Sequence, residues 1–423
     1  MHVYLPIVSV ARRPSPVSRR PRPAALPFRH YPGTIRENDM NDKAFPREEL
    51  DERLAAVRQR MAQADLDALL ISVPENIYYL TGLDHWGFFA CHLLLLPREG
   101  RPALVARRME RITVENQLDG VDFHGHTDTE EPADYLLRLL AERRLQGARL
   151  GMEKRSLFLT ARIAEQIQAG AAAAQWCDCS GLIDDLRLVK SPLEQAYTRR
   201  AAAAADAGCL AAIEALGDGA SDYEVSAACH AAMIRAGSEY PGFGPFIRPT
   251  RRLGEEHTTW RGEVFRNGDA AFLEVGAAYR KYQAPMGRLV YLGSAPAGAE
   301  ASAELAGRGM RAICDALKPG ATAGEVYQAW QDVADDAGLR DYRRHHCGYL
   351  VGIGFPPSWT GGSMVTSLQP GSERKLQAGM VFHAHSWFTD TSVTDFFISN
   401  TVLLGEDGAE ILTANTPQSL LLR

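Results

Sequence analysis

The sequence has no long apolar run and no excess of basic residues. No segment approaches the roughly 18 to 20 consecutive apolar residues that span a bilayer, so we expect no membrane partner. The formal net charge of −6 indicates no basic face for nucleic acid or anionic lipid. Nucleic-acid binding and membrane insertion are therefore not expected.

The cysteines are too scattered for a metal site or a disulfide framework. They number seven, an odd count, and the only close pair, Cys177 and Cys179, is separated by one residue rather than two. No second pair completes a four-cysteine zinc site. This usage is typical of a reducing compartment, and we expect a cytoplasmic protein.

The first 39 residues differ in composition from the rest of the chain. They contain seven Arg, seven Pro and no Lys, and their apolar residues follow neither a helical nor a strand period. Their longest apolar run is too short for a signal sequence, and proline interrupts any amphipathic helix. We expect a disordered tail, or an extension that arises from a start codon assigned too early, with Met40 opening the chain.

Apolar periodicity from residue 46 onward predicts an α/β domain. A charged helix is predicted at 46–65, and short apolar runs follow at 68–72, 91–97 and 103–106; helical patterns at 132–145 and 160–169 flank a strand at 150–153. Strands that alternate with helices are typical of this class. We therefore predict a tail at 1–43, an α/β domain at 44–188 and a catalytic domain at 189–423.

The second half of the chain contains a repeated pattern. Residues 215–225 and 316–326 each contain a glycine followed by a Ser/Thr-x-x-Glu capping box. The glycine is typical of the end of one helix, and the capping box is typical of the start of the next. Further on, Glu274 and His385 each stand six residues after a glycine, within an apolar run. The repeat predicts one domain of two pseudosymmetric halves, in which Glu274 and His385 face each other across a shared cleft. Chance similarity of Ala/Gly-rich turns is the alternative.

Glu274 is the first candidate for chemistry. It interrupts the otherwise apolar strand 270–276, and a carboxylate is rarely buried there unless it is paired or used. Burial would raise its pKa and suit a nucleophile or a general acid/base. An edge-strand position that faces water would explain the same pattern without a function.

Three histidines are further candidates. His257 lies on a polar loop beside carboxylates, where it could transfer protons near neutral pH or be only solvated. His383 and His385 alternate along a predicted strand and so share one face, a spacing that suits metal binding or a pair of core histidines. The glycine- and aromatic-rich segment 345–359 could line a pocket or form a rigid loop.

Several segments resemble the creatinase/prolidase/methionine-aminopeptidase superfamily, and within it the ectoine hydrolases. The motifs that carry the resemblance are residues 76–82, 86–89, 107–110, 256–260, 272–276, 279–282, 348–349 and 355–359. The similarity covers nearly everything from about residue 46 onward. It implies a creatinase-type N-terminal α/β domain followed by a pseudosymmetric "pita-bread" α/β catalytic domain, and a homodimer.

Metal-dependent members of that superfamily hold two divalent ions with two Asp, one His and two Glu. The corresponding positions here are Glu274, Pro285, Tyr349, His385, and either Ser399 or Asn400. Proline offers no donor, and a neutral phenol is a poor ligand for a hard cation. The resemblance therefore implies no binuclear centre, and we expect no metal or other cofactor. One ion held weakly by Glu274, His385 and a neighbour is the alternative.

Creatinase and ectoine hydrolase are similar precedents that work without a metal centre on small nitrogenous substrates. The resemblance implies hydrolysis of a C–N bond, with Glu274 as nucleophile or base. His257 matches the acid/base histidine of creatinase and would carry the proton. The residues expected to bind substrate are Tyr349, Arg288, His383, His385, Trp359 and Trp86, the last reaching the cleft of a neighbouring subunit.

Two segments depart from the ectoine-hydrolase pattern. Residues 355–361 resemble "Y-P-P-D-W-G-E" but lack both of its carboxylates, and residues 395–401 lack the expected glutamates. This implies a substrate less cationic than ectoine, or one with its charge elsewhere. Two other functions stay open: a metal-dependent Xaa-Pro aminopeptidase or dipeptidase, and a non-catalytic homologue that binds a metabolite or a protein.

Overall fold

A computed structural model describes residues 43–361 and 366–423, so the predicted tail lies outside the described residues except for Lys43. The helices are α1 (Arg47–Gln63), α2 (Pro74–Thr81), α3 (Arg111–Gln117), α4 (Pro132–Glu142), α5 (Ala161–Gly170), α6 (Asp184–Arg187), α7 (Pro192–Ala215), α8 (Asp222–Arg235), α9 (Ala299–Ala316) and α10 (Ala323–Asp336). The strands are β1 (Ala68–Ile71), β2 (Leu93–Pro97), β3 (Ala103–Arg107), β4 (Asp122–His126), β5 (Arg149–Met152), β6 (Gln175–Asp178), β7 (Phe246–Pro249), β8 (Ala270–Tyr279), β9 (Tyr282–Tyr291), β10 (Gly348–Leu350), β11 (Val381–Phe388), β12 (Phe396–Gly405), β13 (Gly408–Ile411) and β14 (Leu421–Leu422).

The N-terminal part is a six-stranded mixed sheet with the order β4-β3-β2-β1-β5-β6. The predicted apolar runs form β1, β2 and β3, and the predicted helices form α1, α4 and α5, each within a few residues of its expected ends. Leu136 and Leu140 of α4 and Ile167 of α5 pack on the buried residues of this sheet. The sheet is therefore covered by helices, as its apolar strands require.

The C-terminal part is an eight-stranded sheet whose main path is β10-β11-β12-β9-β8-β7. Neighbouring strands on this path are antiparallel, while β13 and β14 pair with β12 and β9. Leu273 and Val275 of β8 pack with α7 and α8, so Glu274 between them points to the opposite face. Phe382 and Ala384 of β11 are buried with residues of α9 and α10, which turns the alternate His385 to the opposite face.

The repeat in the sequence is a repeat in the structure. Ser221 and Glu224 form a capping box at the start of α8, and Thr322 and Glu325 form another at the start of α10. Each helix pair precedes three strands of the sheet, and the strands β7–β9 and β10–β12 occupy corresponding places on either side of the β9–β12 pair. Two pseudosymmetric halves are confirmed, and the chance alternative is wrong.

The two sheets belong to one compact unit. The guanidinium of Arg187 donates to the carbonyl of Ile353, and the Tyr78 hydroxyl donates to the carbonyl of Arg280. Nothing in these contacts marks a boundary at residue 188, which stays a prediction. Among the described residues, no helix is long and apolar enough to cross a bilayer.

Candidate functional site

Four positions form one row across the C-terminal sheet. Glu274 of β8 lies opposite Gly287 of β9, Gly287 opposite Ser399 of β12, and Ser399 opposite His385 of β11. Residues directly opposite each other project from the same face of a sheet. The row therefore has a carboxylate at one end and an imidazole at the other, at the equivalent positions that the repeat predicts.

The side chains at the two ends of this row converge. Ligand-capable atoms of Glu274, His383 and His385 all lie within 4.8 Å of one another. Between them, Gly287 leaves room for its neighbours, since a Cβ there would lie 2.5 Å from a ring carbon of Phe397 and 2.8 Å from Ser399 Oγ. The prediction that Glu274 and His385 face each other is confirmed.

Glu274 is a buried carboxyl group in the interior of the sheet. Its strand lies between β7 and β9, and the residue is 9% exposed, so the edge-strand alternative is wrong. Burial raises its pKa to about 7, the charge of Glu256 adds to the rise, and the charges of Arg248 and Arg344 oppose it. The group can therefore gain or lose a proton near neutral pH.

A chain of hydrogen bonds runs from Trp359 through Tyr349 and His383 to Ser399. Trp359 Nε1 donates to the Tyr349 hydroxyl over 2.8 Å, and that hydroxyl is 2.9 Å from His383 Nδ1. Because the indole can only donate, the phenolic proton is free to point at Nδ1, which then accepts. In the matching tautomer, His383 Nε2 carries the ring proton and donates to Ser399 Oγ over 2.8 Å. In this arrangement the Nδ1 lone pair accepts the Tyr349 hydroxyl proton.

His385 lies beside that lone pair. Its Nε2 is 2.9 Å from His383 Nδ1, while its own Nδ1 is buried and has no hydrogen-bond partner among the described residues. Burial lowers the pKa of both imidazoles well below the usual value. Burial likewise raises the pKa of the Tyr349 phenol well above its usual value. Both rings and the phenol are therefore uncharged.

The site also contains two arginines that the sequence analysis did not identify. Arg248 of β7 is 1% exposed, donates to the carbonyls of Arg252 and Leu253, and lies 4.0 Å over the Phe272 ring. Arg344 lies over the Trp387 ring, and its Nε is buried without a partner in the described part of the chain. A charged residue inside the apolar segment 246–249 could have marked Arg248 as a candidate site residue. No such pattern in the sequence marks Arg344.

His257 lies at the rim of the site. It is exposed on a loop with a φ of 51°, and its ring packs against Phe243 and Phe246. Phe246 is the residue directly opposite Glu274 on β7. Phe246 thus contacts His257 and is paired with Glu274, and the role of His257 in proton transfer stays a prediction.

The expected role of Arg288 in orienting substrate is wrong. Arg288 pairs with Leu273, which places it on the face opposite Glu274. It is 1% exposed, and its five N–H groups are matched by five acceptors. These are the carbonyl oxygens of Gly287, Ser399, Thr416 and Pro417, and Asn400 Oδ1. The guanidinium ties the C-terminal segment to the sheet and has no donor left for a substrate.

The two tryptophans expected to bind substrate have different surroundings. Trp359 is 3% exposed and its ring lies 5.8 Å from that of His383, so it forms a wall of the site. Gly276 allows this approach, since a Cβ there would lie 2.8 Å from the indole. Trp86 is 45% exposed and packs edge-on against Tyr240. A contact of Trp86 with a neighbouring subunit stays a prediction.

The donors at the site do not fit a pair of metal ions. Pro285 projects beside Glu274 from the paired strand without a donor, and the Ser399 hydroxyl is bonded to His383. Within residues 43–361 and 366–423, Glu274, His383 and His385 form the only group of three acidic, His or Cys side chains spaced to hold an ion. The described residues therefore do not form a centre of two Asp, one His and two Glu. For the alternative of a single ion, the structure identifies His383 as the neighbour of Glu274 and His385 that could be the third ligand.

Comparison with known proteins gives the same domain order. Residues 53–189 match the creatinase/prolidase N-terminal domain, and residues 196–406 match metallopeptidase family M24. Ectoine hydrolase of Halomonas elongata is 29% identical over 90% of this chain and 98% of its own length. An Xaa-Pro dipeptidase of Pyrococcus furiosus is 25% identical over 88% of this chain and 100% of its own length.

Solved structures show the same architecture. Dipeptidase PepE from Mycobacterium ulcerans superposes with a TM-score of 0.77 and 23% identity, over 89% of this chain and 99% of that chain. At this identity the likeness establishes the fold alone. With both domain matches and the paired halves of the C-terminal sheet, the chain belongs to the creatinase/prolidase/aminopeptidase P (M24, pita-bread) superfamily.

Proposed function

We propose that the protein hydrolyses a C–N bond in a small nitrogenous substrate, an ectoine-like cyclic amidine or a creatine-like guanidine, without a bound metal. The buried Glu274 carboxyl carries this proposal, because it projects into a site that lacks the donors for two ions. The 29% identity to an ectoine hydrolase over nearly its whole length supports the substrate class.

The chemistry needs one carboxylate and one proton carrier. A protonated amidine or guanidine is an electrophile that pairs with a carboxylate. Ionised Glu274 removes a proton from water, which attacks the carbon, and the C–N bond breaks. Alternatively Glu274 attacks the carbon itself, the C–N bond breaks, and water then cleaves the bond between Glu274 and the carbon. His257 then delivers a proton to the leaving nitrogen. The cationic substrate thereby supplies the polarisation that a Lewis-acidic metal would otherwise provide.

The charges around the site favour a substrate that also carries an anionic group. Arg248 and Arg344 both act electrostatically on Glu274, and both lie at the site. Ectoine and creatine each combine a cationic C–N centre with a carboxylate. This arrangement agrees with the loss of carboxylates from residues 355–361, since fewer acidic groups leave more room for an anionic end.

Proton NMR with a panel of substrates tests the proposal. The full chain is incubated with ectoine, hydroxyectoine, creatine and an Xaa-Pro dipeptide, with and without added Mn²⁺. We expect conversion of an amidine or of creatine that does not depend on Mn²⁺. Cleavage of the dipeptide alone, and only with Mn²⁺, would contradict the proposal and assign a metallopeptidase.

His257 gives a second test at the rim of the site. Replacing His257→Asn is expected to lower kcat by about 10²-fold, because the leaving nitrogen loses its proton donor. Asn tolerates the left-handed backbone conformation of this position, so the thermal midpoint stays unchanged. The control His124→Asn on β4 changes neither quantity. An unaltered kcat in His257→Asn at saturating substrate would remove His257 from the mechanism.

An Xaa-Pro dipeptidase is the second candidate. The match to a metallopeptidase family and the three clustered ligands favour it. The missing donors at Pro285 and Ser399 weigh against it. We also propose a cytoplasmic homodimer in which Trp86, with its exposed ring, borders the cleft of the neighbouring subunit.

A further inference from the structure

The geometry points to a binding site for a single zinc-like divalent ion between Glu274, His383 and His385, in place of the two-ion centre of the superfamily. Zn²⁺ on this site would hold the Glu274 carboxylate and inhibit hydrolysis. The binding site stands on its own contacts. The inhibition rests on the proposed function, because it requires Glu274 to be the reacting group.

The distances fit one ion. His383 Nδ1 and His385 Nε2 are 2.9 Å apart, and the ligand atoms of all three residues lie within 4.8 Å of one another. Zinc–nitrogen bonds are about 2.0–2.1 Å long, so two nitrogens at this separation subtend an angle of about 90° at a shared ion. Two imidazoles and one carboxylate facing one point are a common ligand set for Zn²⁺ and similar transition-metal ions.

The hydrogen bonds already orient a ligand. When Ser399 accepts the Nε2 proton of His383, the lone pair of that ring is on Nδ1, beside His385 Nε2. A metal-binding imidazole is usually held by such a bond from its other nitrogen. An ion bound at His383 Nδ1 takes the place of the Tyr349 hydroxyl proton that this lone pair accepts. His385 turns Nε2 towards the same point, 2.9 Å from His383 Nδ1, and its unpartnered nitrogen among the described residues is the other one, Nδ1.

The donor types also select the ion. Mg²⁺ and Ca²⁺ prefer sites made of oxygen ligands, and this site offers two nitrogens and one carboxylate. Among the residues that the structure describes, a second ion lacks ligands, because Pro285 offers none and the Ser399 hydroxyl is bonded to His383. Glu274 would serve both as a ligand of the ion and as the group that reacts with the substrate. Binding of the ion and binding of the substrate therefore exclude each other.

Metal titration of the full chain tests the site. The protein is dialysed against EDTA and desalted, and binding is followed by calorimetry with Zn²⁺ and by the visible absorption of Co²⁺. We expect one equivalent bound. Glu274→Gln and His383→Gln, which remove different ligands, are each expected to weaken binding by at least about 100-fold, beyond the 10–100-fold typical of a lost outer hydrogen bond.

Binding of the metal ion by some of the seven free cysteines is the competing explanation for a positive titration. Binding that survives in both variants, or that shows the intense near-ultraviolet thiolate bands of Co²⁺, would overturn the proposed site, as would the absence of saturable binding. Turnover of the metal-free protein is measured separately, so failed binding leaves the hydrolase proposal intact. Zn²⁺ that binds at these ligands but raises the rate would overturn the inhibition.

Discussion

Replacing Glu274→Gln is expected to lower kcat by about 10⁴-fold, the upper range for a positioned acid–base group, while the substrate still binds. The amide has nearly the same size but can neither attack a carbon nor accept a proton. Because burial raises the pKa of Glu274 to about 7, its ionised form is disfavoured in the folded protein. The Gln variant should therefore be at least as stable as the parent protein in thermal unfolding above pH 7.

The matched control is Glu325→Gln. Glu325 closes the capping box of α10, and glutamine serves equally well at that position of the box. The same substitution there should leave both turnover and stability near the parent values. A Glu274→Gln variant that retains turnover would remove Glu274 from the mechanism, and one that loses folding with its activity would assign the carboxylate a structural role.

The second large effect concerns stability rather than turnover. Arg288→Met is expected to lower the free energy of unfolding by about 3–5 kcal/mol, because it leaves buried acceptors without a donor. The acceptors belong to the β9–β12 pair and to the segment that ends at Arg423. Chemical denaturation monitored by tryptophan fluorescence measures the change. Arg288→Lys should recover only part of it, since lysine offers three donors instead of five.

Arg311 provides the comparison for Arg288. It is exposed and pairs with Glu304 over 2.6 Å, so Arg311→Met should cost about 0–1 kcal/mol. An Arg288→Met variant with normal stability and a raised KM would contradict the structural role and restore the expectation that Arg288 orients the substrate.

The sequence predicted the second domain well where the signal was local. Capping boxes and apolar runs are short patterns, and both copies of the repeat appear where they were expected. The two strand positions that matter most, Glu274 and His385, follow from the same repeat because equal offsets after a glycine put them at equivalent places. Fold and the two ends of the site were therefore predictable.

The error at Arg288 has a physical cause in the turn between β8 and β9. That hairpin turns through Arg280 and Lys281, both with positive φ, where a two-residue turn usually contains Gly, Asn or Asp. Without the usual signal the register could not be read, and the register decides which face a residue occupies. Once Tyr279 is paired with Tyr282, counting along the strands puts Arg288 opposite Leu273.

The remaining parts of the site depend on contacts between distant segments. The bond between Tyr349 and His383 joins β10 to β11, and the contact of His257 with Phe246 depends on how a loop folds over β7. Neither leaves a short pattern in the chain. The charges of Arg248 and Arg344 on Glu274 are also products of packing, and they became visible only in three dimensions.

The most direct test of the account is the rate of C–N hydrolysis against the metal content of the protein. Samples are dialysed against increasing concentrations of EDTA, metal per chain is measured by mass spectrometry, and hydrolysis of the active amidine or guanidine is followed in parallel. The account predicts a rate that stays constant, or rises, as bound metal approaches zero. A rate that falls in proportion to the metal removed, and returns with added Mn²⁺, would contradict it.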